Sequence, residues 1–348
     1  MRRTHLISLT AFLTLAQGAL AQTPDRYSIP GSAVAVYNLA GTVTIERGTG
    51  ANVLIEVMRA GRDAARLEVE RLEVNGRPAL VVRYPEGDVV YAGPGGGTTQ
   101  MTVRRDGTFG SGLRGSRVTI RRSGRGTQAH ADLRILVPSE RAVDLRLGVG
   151  EVTASDVVGG LDIDVSSAAV RTRGTKGPLR IDTGSGSVVV NGAEGDDVLI
   201  DTGSGSVEVN AIRANGLTVD TGSGRVTGGG IVVTNLGVDT GSGSIRLSDV
   251  SASDIVLDTG SGSVELDLVT QIESLLIDSG SGGVRLAVPA DLSASIEIDT
   301  GSGGIDIDIP IRITRRGRTS LFGTFGSGAG GGHIEIDTGS GGVSVRAR

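Results

Sequence analysis

The chain has 348 residues, a formal net charge of −5, 57 glycines, no cysteine and 2% aromatic residues. The lack of cysteine excludes disulfides and thiol chemistry, so stability has to come from packing and backbone hydrogen bonds. The scarcity of rings removes the stacking platforms that single-stranded nucleic acid requires, and no nucleic-acid partner is expected.

Residues 1–21 read as an export signal. Arg2 and Arg3 supply the basic start, Leu6 to Ala16 a short apolar core, and Ala19-Leu20-Ala21 a small-residue cleavage site. That core is too short to span a bilayer, and no later apolar run approaches membrane length. The predicted location is therefore periplasmic or extracellular, with no transmembrane segment after cleavage. Losing Arg2 and Arg3 takes the net charge from −5 to −7. The charge is uneven: residues 22–148 hold 18 Arg against 13 acids, and residues 149–348 hold 14 basic residues against 26 acids. A basic front on an acidic rod suits edge-to-edge self-association or an anionic partner, although ordinary solvated surface gives the same balance.

Residues 22–84 read as a β-rich cap or first part of the main array. Runs at Ala33–Tyr37, Thr42–Glu46, Val53–Met58, Arg66–Val74 and Ala79–Tyr84 have strand character, and Asn75-Gly76 has the chemistry of a hairpin turn. Residues 85–130 are rich in Gly and Arg and hold two strand candidates, Gln100–Arg104 and Arg117–Arg122. A long hairpin or loop is expected there; the rival reading, a basic arm for an anionic polymer, lacks interleaved rings.

From residue 131 to 348 a repeat takes over. Leu133 to Val137 forms an extended lead-in closed by Pro138, and degenerate coils surround Leu147–Val152 and Ile163–Ser166. An Asp-Thr/Ser-Gly-Ser-Gly string then begins at Asp182, Asp201, Asp220, Asp239, Asp258, Asp278, Asp299 and Asp337, at intervals of 19, 19, 19, 19, 20, 21 and 38 residues. The double interval holds an insertion at 310–332, with Phe322 and Phe325 expected to pack over the last turns. The final coil ends at Arg348, where Arg346 and Arg348 are expected to charge the terminal edge.

Around each Asp the pattern is fixed. The residue before it is Ile181, Ile200, Val219, Val238, Leu257, Ile277, Ile298 or Ile336, and the sixth after it is Val188, Val207, Val226, Ile245, Val264, Val284, Ile305 or Val343. Alternation with period two on both sides of a glycine turn means strand, turn, strand. The predicted fold is all-β: a parallel β-solenoid, or β-helix-like stack, of two-strand coils about 19 residues long, with a β-rich N-terminal cap. Coils stacked about 4.8 Å apart would build a rod on the order of 45 Å long. Gly-Ser-Gly is expected to supply positive φ at the reversal. Thr183, Thr202 and their equivalents fall on the inward phase, and each Asp on the outward phase, where it is expected to cap its own turn.

A row of carboxylates at that spacing repels by roughly 1 kcal/mol per neighbouring pair even in water. Bound calcium is one way to offset this and gives the reading of a calcium-dependent structural surface protein. No metal or other cofactor is expected: the Gly-Gly-x-Gly-x-Asp pattern is approached once, at Gly301–Asp306, and His130 and His333 lie far apart. Asp-Thr-Gly-Ser is also an aspartic-protease string, but that chemistry needs two facing aspartates, whereas eight copies at coil spacing form a row. A polysaccharide lyase or hydrolase on a β-helix is the enzymatic alternative. Its candidate pairs, such as Glu208 with Arg246, are ordinary for a solvated face, so no catalytic residue is assigned and no enzyme is expected.

A Leu-x-Ile-x-Val-Pro segment, then repeated Ile-Asp-Thr-Gly-Ser-Gly-Ser-Val-x-Val units, then a late loop before one last repeat, resembles the bacterial putative-adhesin family of exported β-strand-repeat domains. The resemblance spans about Ala131 to Arg348, with a weaker echo at Ala33–Val57. It implies a β-solenoid in an envelope or extracellular setting and carries no catalytic residues. The expectation is an adhesin-like binding or scaffold protein whose partner is an envelope or extracellular protein or polysaccharide. Leu199, Val256 and Leu276 form an outward apolar strip, expected to be covered by residues 22–84 or by the insertion after Pro310.

Overall fold

The computed structural model describes residues 23–110, 114–326 and 331–348. The segment read as an export signal lies outside them. Among the described residues, 26 strands join one sheet and three form a second. Among the described residues the helical element is the short turn Ala64–Arg66, and none of their helices is long and apolar enough to cross a membrane.

Each repeat contributes two strands that pair in parallel with the same strands of the next. Val198–Thr202 and Val207–Ala214 make one coil, and Gly216–Thr221 and Val226–Val232 the next. Register is residue for residue: Ile200 faces Val219, Val219 faces Val238, and Val238 faces Leu257. On the other side Val207, Val226, Ile245 and Val264 stack likewise. These side chains are buried in one continuous core, where each contributes roughly 1.5–3 kcal/mol by leaving water.

The turn is built differently from the expectation. Gly205, Gly224, Gly243 and Gly262 do not have left-handed φ. They are glycine because the coil beneath occupies the space of a side chain: a Cβ on Gly243 would lie 1.8 Å from the carbonyl oxygen of Gly224, and one on Gly262 1.8 Å from that of Gly243. The left-handed residues sit at the opposite corner, at Gly192, Ala211, Gly230 and Asp249, with φ of 75°, 55°, 66° and 52°. The buried Thr, rather than the Asp, ties the reversal. Thr240 Oγ1 accepts from Gly243 N at 3.0 Å and donates to Gly224 O at 3.1 Å; Thr259 does the same with Gly262 and Gly243.

The parallel array starts at Ala33–Arg47, so residues 22–84 begin the stack as well as capping it: that strand lies in register along the whole of Ala142–Ser155. It is the first coil, and it covers both runs read at Ala33–Tyr37 and Thr42–Glu46. Its outer side is closed by Arg77–Arg83 on one half and His130–Val137 on the other, both parallel. Antiparallel strands Glu68–Val74, Val53–Ala60 and Asp25–Ile29 finish this end. Asn75 and Gly76, both left-handed, make the hairpin turn between Glu68–Val74 and Arg77–Arg83. Tyr84 donates from its hydroxyl to Asn38 Oδ1 and to Ala40 O, both at 2.9 Å, pinning the corner of the first coil.

Residues 85–130 form more than a hairpin. Thr98–Val103 and Ser116–Arg121 pair antiparallel, and Val89–Val90 adds in parallel. This small sheet packs Val89, Phe109, Val118 and Ile120 on the outward side chains of the first coil, Ala35, Tyr37 and Leu39, making a second core. Tyr37 and Phe109 meet edge to face at 5.7 Å.

The far end corrects the expected order. Gly332–Thr338, the last Asp strand in the chain, lies between Ser274–Ser279 and Ala294–Thr300, parallel to both. Val343–Ala347 lies between Val284–Val288 and Ile305–Asp308. The final coil is therefore interior to the stack and forms no terminal edge. Arg348 reaches back to Asp249 and to Asp267, the latter at 3.2 Å. The insertion forms the hairpin Arg312–Arg316 and Ser320–Phe325, the second strand antiparallel on Ala294–Thr300. Phe325 is buried, whereas Phe322 stays partly exposed beneath the Arg315 guanidinium, 3.7 Å from its ring centre.

Gly243→Ala should cost at least about 3 kcal/mol in denaturant unfolding, because backbone blocks the new methyl. Gly237→Ala is the internal control: its Cβ would meet nothing nearer than 3.9 Å, so stability should hold or rise slightly.

Candidate functional site: the carboxylate column

The coil register brings the predicted aspartates into one column. Asp164, Asp182, Asp201, Asp220, Asp239, Asp258, Asp278, Asp337 and Asp299 follow one another as direct neighbours on adjacent parallel strands. All eight predicted positions are in it, and Asp164 extends it by one. Asp337 stands between Asp278 and Asp299 because the last coil is interior. Arg146 closes one end, 3.4 Å from Asp164 and 2.9 Å from Asp144; Ser320 faces Asp299 at the other.

Most of these carboxylates are exposed, and they stand outside the hydrogen bonds of the turn. The first glycine N–H of each string donates to the preceding coil, as Gly222 N does to Thr202 O at 3.1 Å and Gly241 N to Thr221 O at 3.2 Å. The second donates to the Thr hydroxyl in Gly205, Gly224, Gly243 and Gly262. Both glycine donors are thus committed elsewhere, and among the described residues no turn donor reaches an Asp carboxylate as the expected cap. Asp182 has Arg180 at 3.5 Å.

Burial and, to a lesser degree, the neighbouring carboxylates push the carboxyls of Asp182, Asp220, Asp258 and Asp337 up from their ordinary value. Asp164 is also raised, chiefly by burial, against the pull of Arg146.

Beside this column runs a second outward one, in which Arg180, Leu199, Thr218, Gly237, Val256, Leu276, Glu335 and Glu297 are successive neighbours. Leu199, Val256 and Leu276 are 39%, 49% and 38% exposed. The expected cover is absent from them: the hairpin strand Ser320–Phe325 faces Glu297 instead. The face thus offers acid and aliphatic side chains together.

The opposite sheet handles charge in the contrary way. Arg246, Glu265 and Arg285 alternate on successive coils, with contacts of 2.5 Å and 2.9 Å. Glu208 is separated from Arg246 by Thr227 and bonds Asn210 at 2.8 Å, so that candidate pair is not brought together. His333 lies 3.0 Å from Ser295 and 3.9 Å from Glu335, far along the stack from His130. Among the described residues no three His, Cys, Asp or Glu side chains converge as a metal set.

A family model described as Toastrack DUF4097 matches residues 121–346. The chain belongs to the Toastrack DUF4097 family. No curated protein matches it. A crystal structure of a putative cell adhesion protein from Clostridium sporogenes aligns over 93% of this chain and 100% of its own, at 10% identity and a TM-score of 0.21.

One feature of this Toastrack chain has no sequence signal of its own. A cleft of about 580 Å³ opens where the small sheet meets the first coils, lined by Arg66, Arg83, Arg104 and Arg105 with Glu68 and Glu86. These residues come from three separate stretches, so spacing along the chain does not reveal them.

Because folding raises the carboxyls of Asp164, Asp182, Asp220, Asp258 and Asp337, the folded state holds protons more tightly at these groups than the unfolded chain. The penalty is absent below the ordinary value of 3.8, grows as pH rises through the higher folded values, and is complete above them. Asp220→Asn should stabilise the protein at pH 7 by up to about 1 kcal/mol, measured by denaturant midpoint. The gain should vanish near pH 3 and shrink in high salt. A loss of stability at pH 7 would mean the anion is holding something in place.

Proposed function

We propose that this Toastrack chain is an exported, non-enzymatic, adhesin-like binding or scaffold element of the bacterial envelope. Its working surface is the face that carries the carboxylate column and the strip of Leu199, Val256 and Leu276. The observation that carries this reading is the contrast between the two faces of the stack. On one, Arg246, Glu265 and Arg285 pair across three successive coils; the other repeats a single sign over nine coils. A column that opposes the stacking of the coils is retained at a cost to stability, which favours a role in recognition over one in folding. The family match names a fold and no chemistry, and function has to be argued from the surface.

Uniform negative charge with interspersed aliphatics suits a partner presenting basic and apolar side chains, since complementary potential sets specificity and association rate. An envelope or extracellular protein fits this description better than an acidic polysaccharide. The repetition also supports the non-enzymatic reading, because a site for acid–base catalysis needs groups whose environments differ.

The mature chain should bind an immobilised basic polypeptide, with affinity falling steeply as salt rises. A variant combining Asp201→Asn, Asp220→Asn and Asp239→Asn should lose at least tenfold in affinity while melting no lower than the parent. Undiminished binding would remove the column from the function. Turnover of a polysaccharide or peptide substrate, abolished by a single Asp or Glu substitution, would replace this reading with an enzymatic one.

A further inference from the structure

The last coil fills a slot whose two walls are made by earlier parts of the chain. One wall is the coil Ser274–Ser279 and Val284–Val288; the other is Ala294–Thr300 and Ile305–Asp308, backed on its outer side by the hairpin. Chain order therefore makes both walls before residues 331–348 are available. Until they arrive, each wall presents an unpaired strand edge, the arrangement most prone to take up a foreign strand.

The slot is selective. It takes Ile334 and Ile336 against Leu275 and Ile277 on one side and Ile296 and Ile298 on the other, all buried. At the turn it accepts only glycine: a Cβ on Gly341 would lie 1.9 Å from Gly282 O, and one on Gly303 2.0 Å from Gly341 O. Backbone bonds close both sides, with Gly339 N donating to Ser279 O at 3.2 Å and Gly301 N to Thr338 O at 2.8 Å. Residues 331–348 satisfy these demands, pairing with one wall along each strand edge.

We propose that this slot is a self-recognition site, in which residues 331–348 of a second copy replace the protein's own last coil. Reciprocal exchange joins two copies into a closed dimer, and one-way exchange continues into a chain of copies. The partner is thus a coil of this protein's own sequence, recognised by strand addition on two edges at once. This holds whether or not the protein acts in adhesion, because it depends only on the order of coils in the stack.

The absence of cysteine makes the test clean. Leu276 and Glu335 are register partners on adjacent parallel strands, about 4.8 Å apart and within reach of a disulfide. Full-length Leu276→Cys and Glu335→Cys, one carrying a mass tag, are mixed, unfolded, refolded together over a range of concentrations and oxidised. The expected result is a disulfide-linked heterodimer whose yield rises with protein concentration, absent when either variant is refolded alone. The double variant Leu276→Cys/Glu335→Cys, refolded dilute, should close within one chain. Closure of the double variant with no heterodimer from the mixture at any concentration overturns the proposal, and so does failure of the double variant to close. Glu297→Cys mixed with Glu335→Cys probes the other wall and must give the same answer.

Discussion

A carbonyl oxygen of one turn sits where the side chain of the next turn would be. That contact, repeated at Gly205, Gly224, Gly243, Gly262 and Gly282, lets successive coils approach to strand-pairing distance at their tightest corner. With a side chain there, the coils would splay and the ladders on both sides would lengthen. The Thr hydroxyl beneath the turn depends on the same approach, since it bonds its own turn and the carbonyl of the coil before. The aliphatic core follows, because Ile, Leu and Val stack in register only when the coils are flat and evenly spaced.

The same regularity creates the carboxylate column. Exact stacking places every outward residue of one coil directly beside its counterpart in the next, so whatever sign the repeat carries is multiplied. On the sheet holding Arg246, Glu265 and Arg285 the multiplication alternates and the charges pair. On the other it adds. The carboxyls of Asp220, Asp258 and Asp337 are raised by partial burial first and by that addition second.

Much of this was legible in the sequence for one reason: the period is short and strict, and inward and outward phases are kept apart by alternation. The inward Thr, the outward Asp and the outward placing of Leu199, Val256 and Leu276 all follow from counting, although their exposure does not. Four things did not. Left-handed φ falls at Ala211 and Asp249 as well as at Gly192 and Gly230, so the second corner has no uniform residue to betray it. The coil bearing Asp337 looks like its siblings, and near-identical units carry no information about their order in the stack. The small sheet at residues 85–130 draws its core from Val89, Phe109, Val118 and Ile120, which are scattered among Gly and Arg without a period. The basic cleft escaped for a similar reason, being assembled from stretches distant along the chain.

The central claim is that a 19-residue coil is an interchangeable course of the stack, joined to its neighbours by the same contacts everywhere. Deleting Leu217–Asn235 joins Gly216 to Leu236, the residue that already faces Leu217 in register, and so removes one complete course. Solution X-ray scattering on this deletion, with its unfolding curve, tests the claim most directly. The account predicts a folded, cooperatively unfolding protein whose longest dimension is shorter by about 5 Å. An unfolded chain, or a folded one of unchanged length, would contradict it.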